Sequence, residues 1–587
     1  MYFGYFEVVR SEKALLAYLF LSTLFMEIIL RWQSGEQFLG MGLFFSALFC
    51  LALVLLTMSL LHLMNWRFAR IAIRIWLFLL TAFFVGQFVY YAIFKTYFTL
   101  YSMFHGGQAA SFYKLVIDFM IRDPRWILLF LPLILFPFVS KIATWVTRGG
   151  FVDYGLLFVL SVLVLMTCLR LFTYGERNTS HLIFSKVDTR VSVHELGMVG
   201  NGYGEIARQV VPTYKEIYFA PESSVIPGRE ANVAYDLGKL LEGEEDAALA
   251  ELTSHLLSKE PTSKNIFTGR LSGYNLIYVI AESFSDLAVR EDVTPTLYRL
   301  MNEGVQFENF YNPLWGVSTT DGEYAALTGL YPVPGIWSMV ESKDHHLPHT
   351  LGNQLKNLGY HSDAFHNHSS TYYQRDKTHE NFGYNFYAIG RGLELENVWP
   401  ASDEEMFRKS FPFYMDQSPF SIYYLTVSGH MGYDFKNNAM SIRHQDKVEH
   451  LPFSEEAKAY LACHVELDLA LEKLLAELQE KQLLEKTILV VHGDHYPYAL
   501  RQSSMEELAG KPVEGFDRYK SKIIFYSPGL KDVKVRKLST VVDLLPTLSN
   551  LMGLQYDSRL MMGRDVFSPS KPHVQFADGS FLTPQGS

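Results

Sequence analysis

Five long apolar stretches in the first third of this 587-residue chain limit its possible folds more than any other feature. They cover residues 14–31, 37–64, 71–94, 126–145 and 152–172. Each has about the 20 residues that a helix needs to cross roughly 30 Å of hydrocarbon, and aromatic residues cluster at their ends as in an interfacial belt. Buried helices of a soluble protein are the alternative, but so many closely spaced stretches favour a membrane. We predict a helical transmembrane domain of five spans over residues 1–175.

Lysine and arginine set the expected orientation, because cytoplasmic loops of membrane proteins carry an excess of both residues. The connection between the second and third stretches holds Arg67, Arg70 and Arg74, the densest such cluster. The connection between the third and fourth stretches is also basic, but it is longer and contains two aspartates as well. We therefore predict a multi-pass protein of the cell membrane with a cytoplasmic N-terminus. An odd number of spans then leaves everything after about residue 175 outside the cell.

Charge and cysteine content exclude several classes of protein. The net charge is −10, and no long basic run is present, which argues against nucleic acid as a partner. The cysteines, Cys50, Cys168 and Cys463, lie far apart and form no CxxC pair. A disulfide framework, a cysteine-rich zinc site and an iron–sulfur cluster are therefore not expected.

The chain becomes polar after residue 175 and changes again at about residue 271. Residues 176–270 are predicted to form an extracytoplasmic juxtamembrane connector, and residues 271–587 an extracytoplasmic α/β domain. Short runs that are apolar on both faces indicate a mostly parallel central sheet covered by helices. They occupy residues 275–281, 421–427, 487–491 and 522–526. The segment 455–483 has helical periodicity and supplies one crossover.

Polar side chains follow three of these predicted strands directly. Glu282 ends the first, His430 follows the second, and Asp494 and His495 follow the third. Open α/β sheets bind ligands beyond the carboxyl ends of their strands, so these residues should lie in one crevice. Carboxylate oxygens and imidazole nitrogens together suit a divalent cation. His492, just before this third group, either adds a second metal ligand or fills the end of its strand.

A predicted helix start near residue 319 supplies a hydroxyl for this crevice. Thr320 and Glu323 fit the S/T-x-x-E pattern of a capping box, which predicts a helix N-terminus with outward-facing N–H groups. Such a terminus attracts phosphate. A hydroxyl placed there beside a cation would be a nucleophile with a lowered pKa, and Thr319 and Ser318 are the candidates.

These residues together resemble the lipoteichoic acid synthase family, membrane-bound phosphoglycerol transferases of the alkaline phosphatase/sulfatase superfamily. The resemblance covers nearly the whole chain and rests on the order and spacing of several short segments. They are Ala281-Glu282-Ser283-Phe284, Thr319-Thr320-Asp321-Gly322-Glu323, Phe365-His366, Tyr372-Tyr373-Gln374-Arg375-Asp376, Ser428-Gly429-His430, Gly493-Asp494-His495 and Met562-Gly563-Arg564-Asp565. The fold that the resemblance implies for residues 271–587 is the sulfatase-like α/β domain.

The resemblance implies that Glu282, Thr319, Asp494 and His495 hold one divalent metal, usually Mn²⁺, with Mg²⁺ and Zn²⁺ as alternatives. Thr319 would then attack the phosphorus of phosphatidylglycerol and release diacylglycerol. A hydroxyl of a glycolipid or a polyglycerolphosphate chain would take the phosphoglycerol from the threonine. The function that the resemblance implies is thus lipoteichoic acid synthesis or priming. It leaves open whether the product is a polymer or a single primed unit.

The resemblance also supplies candidate substrate-binding residues. His430 matches the family's site histidine, which binds phosphoglycerol and acts as acid or base, and Arg375 would hold phosphate oxygens. His366 also has a family match. Tyr373 stands where the family commonly has tryptophan, and His368 stands where an acidic headgroup contact can occur. These two departures bear on the headgroup rather than on the metal.

Three other functions remain open from the sequence. A phosphoethanolamine transferase would use the same site, although such enzymes usually carry several disulfides, and Cys463 is the one cysteine in the predicted catalytic domain. A phosphodiesterase would hydrolyse glycerophosphate polymers instead of building them. A polymer-binding protein with an inactive site is the third, and the complete set of predicted ligands argues against it.

Overall fold

The computed structural model describes residues 2–35, 40–103, 113–142, 151–170, 173–174, 177–184, 187–210, 229–530 and 533–586. The chain divides into two compact units, Met1–Ile217 and Tyr218–Ser587. This division lies inside the predicted connector, and the bounds of the three predicted domains stay predictions. The ends of the fourth and fifth predicted spans, residues 143–145 and 171–172, lie outside the described residues.

The first unit is helical. Its elements are α1 (Tyr2–Ser34), α2 (Met41–His62), α3 (Trp66–Phe94), α4 (Leu100–Met103), α5 (Tyr113–Arg122), α6 (Leu131–Ile142), α7 (Phe151–Arg170), β1 (Thr173–Tyr174), β2 (Arg177–Asn178), α8 (Thr179–Phe184) and α9 (Thr189–Val210). Within the described residues, three helical segments are long and apolar enough to cross a membrane, Lys13–Ser34, Met41–His62 and Arg67–Phe94. Shorter apolar helices at Pro124–Phe138 and Gly155–Cys168 coincide with the fourth and fifth predicted spans. The helical character of this region is confirmed, and the count of five spans stays a prediction.

Helix α9 packs into the first unit although its sequence is polar. Leu196, Met198 and Val199 belong to the apolar core that α1, α2 and α3 share. At Gly197 the helix is interrupted by a positive φ of 78°, and the second half begins with amides that need acceptors. The buried Glu27 carboxylate of α1 accepts from the amides of Met198 and Val199, at 2.9 and 2.8 Å. A carboxylate thus caps the restarted helix.

The second unit is an α/β domain. Its helices are α10 (Leu237–Glu242), α11 (Ala247–Ser258), α12 (Pro295–Glu303), α13 (Ser318–Thr328), α14 (Ser338–Glu341), α15 (Leu351–Asn357), α16 (Arg375–Asn381), α17 (Asp403–Tyr414), α18 (Ala439–Arg443), α19 (Gln445–Val448), α20 (Glu455–Glu480), α21 (Gln502–Ala509) and α22 (Leu544–Leu551). Its strands are β3 (Asn275–Ala281), β4 (Gln306–Tyr311), β5 (His361–Ser369), β6 (Asn385–Ile389), β7 (Gly392–Leu393), β8 (Phe420–Leu425), β9 (Thr487–Gly493), β10 (Lys520–Ser521), β11 (Ile524–Tyr526), β12 (Lys534–Thr540), β13 (Val574–Gln575) and β14 (Phe581–Leu582).

The main sheet has the strand order β11-β9-β3-β8-β5-β6-β7. All neighbouring pairs are parallel except β11 with β9, which is antiparallel. The mostly parallel sheet predicted from the apolar runs is therefore confirmed. The run at 522–526 forms the antiparallel edge strand β11, and the pattern did not reveal β5 because histidine, serine and aspartate interrupt it. A separate three-stranded sheet has the order β10-β4-β12.

The strand register places the predicted site residues together. Ala281 at the end of β3 lies opposite Gly493 at the end of β9, so Glu282 and Asp494 follow at neighbouring positions. Ile280 lies opposite Leu425 of β8, which brings the Ser428-Gly429-His430 loop to the same edge. The carboxyl edge of the sheet is therefore where the site is built.

Helix α13 approaches this edge with its backbone. A Cβ atom added at Gly322 would lie 2.1 Å from the carbonyl oxygen of Asp494. Only glycine allows this approach, because real Cβ contacts are never that short. The same constraint applies at Gly429, whose added Cβ would lie 2.2 Å from the carbonyl oxygen of Glu282.

We expect the substitution Gly322→Ala to push α13 away from Asp494 and to destabilise the second unit by about 1–3 kcal/mol, the usual cost of overpacking. Calorimetric unfolding of the full chain would measure the loss. Gly243→Ala is the matched control, because no atom lies within 4 Å of an added Cβ there. Equal transition temperatures for the two variants would contradict this close approach.

Candidate metal centre and active site

Three buried ligand side chains meet at the carboxyl edge of the sheet. Glu282 follows β3, and Asp494 and His495 follow β9. His495 Nε2 lies 3.0 Å from Asp494 Oδ2 and 3.7 Å from Glu282 Oε1. Among the described residues, these three form a group whose ligand atoms lie within 4.8 Å of one another. Two carboxylates and an imidazole in one buried pocket form a typical ligand set for a divalent cation.

The hydroxyl of Thr319 lies at the open side of this group. Thr319 is in the first turn of α13, and its Oγ1 donates a hydrogen bond of 3.2 Å to Glu282 Oε2. Ser318 before it has a φ of 36°, a strained value for a residue with a side chain. The local backbone thus holds Thr319, rather than Ser318, against the carboxylate. The role of Thr319 as a metal ligand and nucleophile, which the resemblance implies, stays a prediction.

Two atoms of the group lie 3.0 Å from each other and make no hydrogen bond to any other described residue. They are Asp494 Oδ2 and His495 Nε2, both fully buried. The other atoms of these side chains are engaged: Asp494 Oδ1 accepts from the amides of Ser283 and His495, and His495 Nδ1 donates to the Tyr496 carbonyl at 3.0 Å. Buried polar atoms without partners are costly unless a ligand satisfies them. The residues present therefore fit a divalent cation.

His492 does not join this group. Its Nδ1 lies 2.6 Å from the Gly493 carbonyl oxygen and its Nε2 lies 2.9 Å from the Tyr278 hydroxyl. Both ring nitrogens are therefore engaged within the core. Of the two roles considered from the sequence, His492 fills the strand end.

The three side chains share their charge. Burial raises the pKa of Glu282 to about 8, and the neighbouring Asp494 charge adds to the effect. Burial alone would lower the pKa of His495, but Asp494 and Glu282 outweigh it and raise the value to about 9. Burial by itself would raise the pKa of Asp494. The charge of His495 and the hydrogen bonds to Asp494 outweigh burial and lower this pKa below its usual value. Protons on Glu282 and His495 therefore offset the negative charge of the group, as a bound cation would.

A third loop brings His430 to the edge of the site. The buried Asp403 carboxylate accepts from the amides of Val427 and Ser428, at 3.2 and 3.1 Å, and from the Ser428 hydroxyl. This fixes the loop that carries His430. Burial lowers the pKa of His430 to about 4, so its half-buried imidazole is neutral at pH 7.

Arg375 is held in a buried ion pair. Its Nε and Nη2 both donate to Glu323 Oε2, at 3.0 and 2.6 Å, and Tyr423 donates to the other carboxylate oxygen. Burial raises the pKa of Glu323, but Arg375 and His379 outweigh it and bring it down to about 2. The capping box predicted for Thr320 and Glu323 is therefore wrong. Val317 is the N-cap of α13, and the charge of Arg375 draws Glu323 into the interior instead.

The remaining predicted substrate residues lie along β5 and the loop after it. His366 is buried on β5, with Nδ1 3.0 Å from the Leu425 carbonyl. His368 is partly exposed, with its ring 5.9 Å from that of His366. Tyr373 has a positive φ of 54°, and the Arg375 guanidinium lies 5.4 Å from its ring centre. Their binding roles stay predictions.

Sequence reasoning did not identify two further residues of the site. The Tyr498 ring lies 4.7 Å from that of His495, and Tyr498 is buried. Asp321 accepts from the Val317 amide with Oδ2, while its buried Oδ1 has no partner among the described residues. Burial raises the pKa of Asp321 to about 7. Tyr498 could not be predicted from the sequence, because it lies in the loop after β9 and belongs to none of the motifs described above.

Comparison with known proteins agrees with this geometry. The sulfatase family matches residues 274–554, which contain every residue of the metal group. These residues form a domain of the sulfatase and alkaline phosphatase superfamily. Lipoteichoic acid synthase 2 of Bacillus subtilis (strain 168) is 25% identical to the chain over 375 residues, 60% of this chain and 57% of that protein. The lipoteichoic acid synthase of Staphylococcus aureus (strain USA300) is 25% identical over 376 residues, with the same two shares.

The resemblance to lipoteichoic acid synthases is thus confirmed at 25% identity, but over 60% of this chain rather than nearly all of it, and the matches span 57% of the length of these relatives. Two solved structures are also similar to the sulfatase-like domain. The lipoteichoic acid synthase LtaP from Listeria monocytogenes is 21% identical, with a TM-score of 0.49, and covers 60% of this chain and 86% of its own. The Streptococcus pyogenes phosphoglycerol transferase GacH in complex with sn-glycerol-1-phosphate is 17% identical, with a TM-score of 0.38, and covers 57% and 85%.

We expect the full chain to bind Mn²⁺ more tightly as the pH rises from 6 to 9. The pKa values of Glu282 and His495, about 8 and 9, mean that both groups must lose a proton when a cation binds. Affinity should rise roughly tenfold per pH unit for each proton displaced. Calorimetric titration in buffers of different ionisation enthalpy would count the protons released.

The substitution Glu282→Gln should weaken Mn²⁺ binding by about a hundredfold or more, because it removes a charged ligand. Asp468→Asn is the control, since Asp468 is equally buried but accepts from the Leu297 amide at the start of α12. Equal loss of affinity in both variants, or binding independent of pH, would rule out this group as the metal site.

Proposed function

We propose that this protein transfers phosphoglycerol from phosphatidylglycerol to a glycolipid or a polyglycerolphosphate chain through a phosphorylated Thr319. The observation that carries the proposal is the position of Thr319 Oγ1, 3.2 Å from Glu282 Oε2, in a buried group that also contains Asp494 and His495. A hydroxyl held at such a group is placed for nucleophilic attack on phosphorus. Relatives whose names describe lipoteichoic acid synthases support the choice of phosphoglycerol.

The first step would form a bond between Thr319 Oγ1 and phosphorus and break the bond to the diacylglycerol oxygen. In the second step an acceptor hydroxyl attacks the same phosphorus and displaces Thr319. In each step one proton moves from the attacking hydroxyl to the leaving oxygen. His430 is neutral at pH 7, so it can accept this proton and return it.

Glu282, Thr319, Asp494 and His495 would hold one divalent cation, Mn²⁺ by resemblance, with Mg²⁺ and Zn²⁺ as alternatives. When bound, the cation would offset the negative charge of the phosphodiester and lower the pKa of the Thr319 hydroxyl. The buried carboxylates fix the position of that hydroxyl before substrate arrives. Preorganisation of this kind lowers the barrier because no group has to reorient during the reaction.

Binding of the headgroup would involve His366, His368, Tyr373, Arg375 and His430. Glu323 engages Nε and Nη2 of Arg375, which leaves Nη1 for a phosphate oxygen. The ion pair with Glu323 fixes the orientation of the Arg375 guanidinium and offsets its charge. Arg375 would therefore orient the phosphate of the substrate rather than neutralise it.

The donor lipid requires a site on the outer side of the membrane. Five spans with a cytoplasmic N-terminus would place the sulfatase-like domain there. Contacts inside the first unit support an odd number of spans. Arg31, near the end of α1, donates to the His194 carbonyl of α9, and Glu205 of α9 accepts from the amide of Leu100, the first residue of α4 in the connection that follows α3. The ends of the first and third spans therefore lie beside α9, the helix that follows the fifth predicted span.

Orientation can be tested with single cysteines and a membrane-impermeant maleimide on intact cells. The three native cysteines are buried and should not react. We expect Glu480→Cys, exposed in the second unit, to be labelled, and Met64→Cys, exposed between α2 and α3, to be labelled only after lysis. The reverse pattern would place the site in the cytosol and end the proposal.

Thr319→Ala should reduce diacylglycerol release from phosphatidylglycerol by roughly a thousandfold or more, as expected for loss of a nucleophile. Thr319→Ser should retain part of the activity and a serine-linked phosphoglycerol detectable by mass spectrometry. Ser318→Ala is the control and should still form the adduct on Thr319. Full turnover in Thr319→Ala, or an adduct on Ser318, would refute the assignment.

The same assay separates the alternative functions. Phosphatidylethanolamine should give no diacylglycerol, whereas preference for it would indicate a phosphoethanolamine transferase. Product analysis with and without acceptor glycerol would reveal a phosphodiesterase, which releases free glycerophosphate in both cases.

A further inference from the structure

The turn that carries Glu282 has a strained backbone. It follows β3 and is closed by a hydrogen bond of 3.2 Å from the Phe284 amide to the Ala281 carbonyl. Its third residue, Ser283, has a φ of 54° and is 1% exposed. Turns with a positive φ at this position usually have glycine or asparagine there, because most side chains make that conformation costly. Strain of this kind persists only where the surroundings enforce it, and it clusters at functional sites.

Ser283 is bound to both carboxylates of the metal group. Its hydroxyl donates to Glu282 Oε1 at 2.9 Å, and its amide donates to Asp494 Oδ1 at 2.8 Å. The Thr319 hydroxyl donates to the other oxygen of Glu282, at 3.2 Å. Glycine at position 283 would relieve the strain but would take the donor away from Glu282 Oε1. The hydroxyl is therefore what serine supplies at this position and glycine cannot.

A tyrosine of the crossover helix holds this turn from behind. Tyr460 of α20 is fully buried, and its hydroxyl donates to the Ser283 carbonyl at 3.0 Å. The same hydroxyl lies 3.2 Å from that of Ser285. The Tyr433 ring lies 5.2 Å from the Tyr460 ring, and its hydroxyl donates to the Gly429 carbonyl at 3.0 Å. Two neighbouring tyrosines thus hold the turn after β3 and the loop after β8.

Hydrogen bonds to the ligands of a metal contribute to its affinity, because they fix the direction in which each ligand points. Ser283 makes such bonds to two carboxylates from one residue. A Glu282 side chain that lost the Ser283 hydroxyl could rotate, and the Thr319 hydroxyl bound to it would lose its position as well. The strain at residue 283 is then offset by a gain in the geometry of the whole group.

We infer that Ser283 is the positioning residue of the metal centre and that Tyr460 holds the backbone conformation on which its two hydrogen bonds depend. The inference rests on the proposed function in one respect, the use of a divalent cation by this group. It does not depend on which headgroup is transferred or on which acceptor receives it.

The test measures Mn²⁺ affinity and metal-free unfolding temperature for the full chain in phosphatidylcholine nanodiscs. Ser283→Ala and Ser283→Gly remove the hydroxyl and keep the amide, so both should weaken Mn²⁺ binding about ten- to a hundredfold. Ser283→Gly should unfold at the higher temperature of the two, because glycine adopts a positive φ without strain. Ser283→Thr keeps the hydroxyl and should bind Mn²⁺ nearly as tightly as the native protein, although its branched side chain lowers the unfolding temperature.

Tyr460→Phe removes the donor to the Ser283 carbonyl and should weaken Mn²⁺ binding about tenfold. Tyr414→Phe is the matched control, because Tyr414 is equally buried on a helix but its hydroxyl accepts from Tyr424. The electron paramagnetic resonance spectrum of bound Mn²⁺ should change in Ser283→Ala and Tyr460→Phe. It should stay native in Ser283→Thr and Tyr414→Phe.

Native affinity in Ser283→Ala or Ser283→Gly would overturn the role of Ser283. Affinities that follow the unfolding temperatures across the variants would overturn it too, because they would show a merely structural effect. Equal losses in Tyr460→Phe and Tyr414→Phe would overturn the role of Tyr460. Full turnover of phosphatidylglycerol by Thr319→Ala would refute the proposed function alone and leave the binding results unchanged.

Discussion

The active-site architecture depends on two buried carboxylates, Glu282 and Asp494, held within a few ångströms of each other and of His495. Like charges so close together repel, and burial strengthens that repulsion because little water screens it. The protein holds them there with backbone amides on Asp494, the Thr319 hydroxyl on Glu282 and protons shared with His495. Each of these contacts comes from a different loop. The site is therefore a local concentration of charge that the rest of the fold stabilises and that a cation would relieve.

Two buried networks around this centre explain why it stays in place. Asp403 fixes the loop of His430 through two amides and a hydroxyl, and Glu323 pairs with Arg375, Tyr423 and His379 in the interior. Breaking one partner of such a pair leaves an uncompensated buried charge, which costs about 3–5 kcal/mol. Glycines at 322 and 429 let the backbones carrying these networks touch the strand-end loops. Asp403 and Glu323 thus position residues of the site through their hydrogen bonds.

The first unit uses the same principle in an apolar setting. Two of its buried polar residues show this: Glu27 caps the second half of α9, and Arg31 donates to Ser46 and to the His194 carbonyl. In a low-dielectric environment an unsatisfied carboxylate or guanidinium is expensive, so these contacts specify how α9 packs on the helices. Residues 189–210 were predicted to belong to the connector because they are polar. In a sequence, polar side chains that pair with buried charges look the same as polar side chains that face solvent.

Elements with a simple apolar periodicity, and the residues that directly follow them, could be predicted from the amino-acid sequence. The apolar stretches, the strands at 275 and 487 and the polar residues after them were all visible, because burial on both faces leaves an uninterrupted apolar run. The sequence also placed Thr319 at a helix start. Which polar residues pair inside the protein became visible in the folded structure alone. Glu323 is the partner of Arg375 instead of a helix cap, and β5 is a buried strand despite its histidines. Hydrogen bonds and ring contacts between residues far apart in the chain leave no periodic trace, so only the folded geometry reveals them.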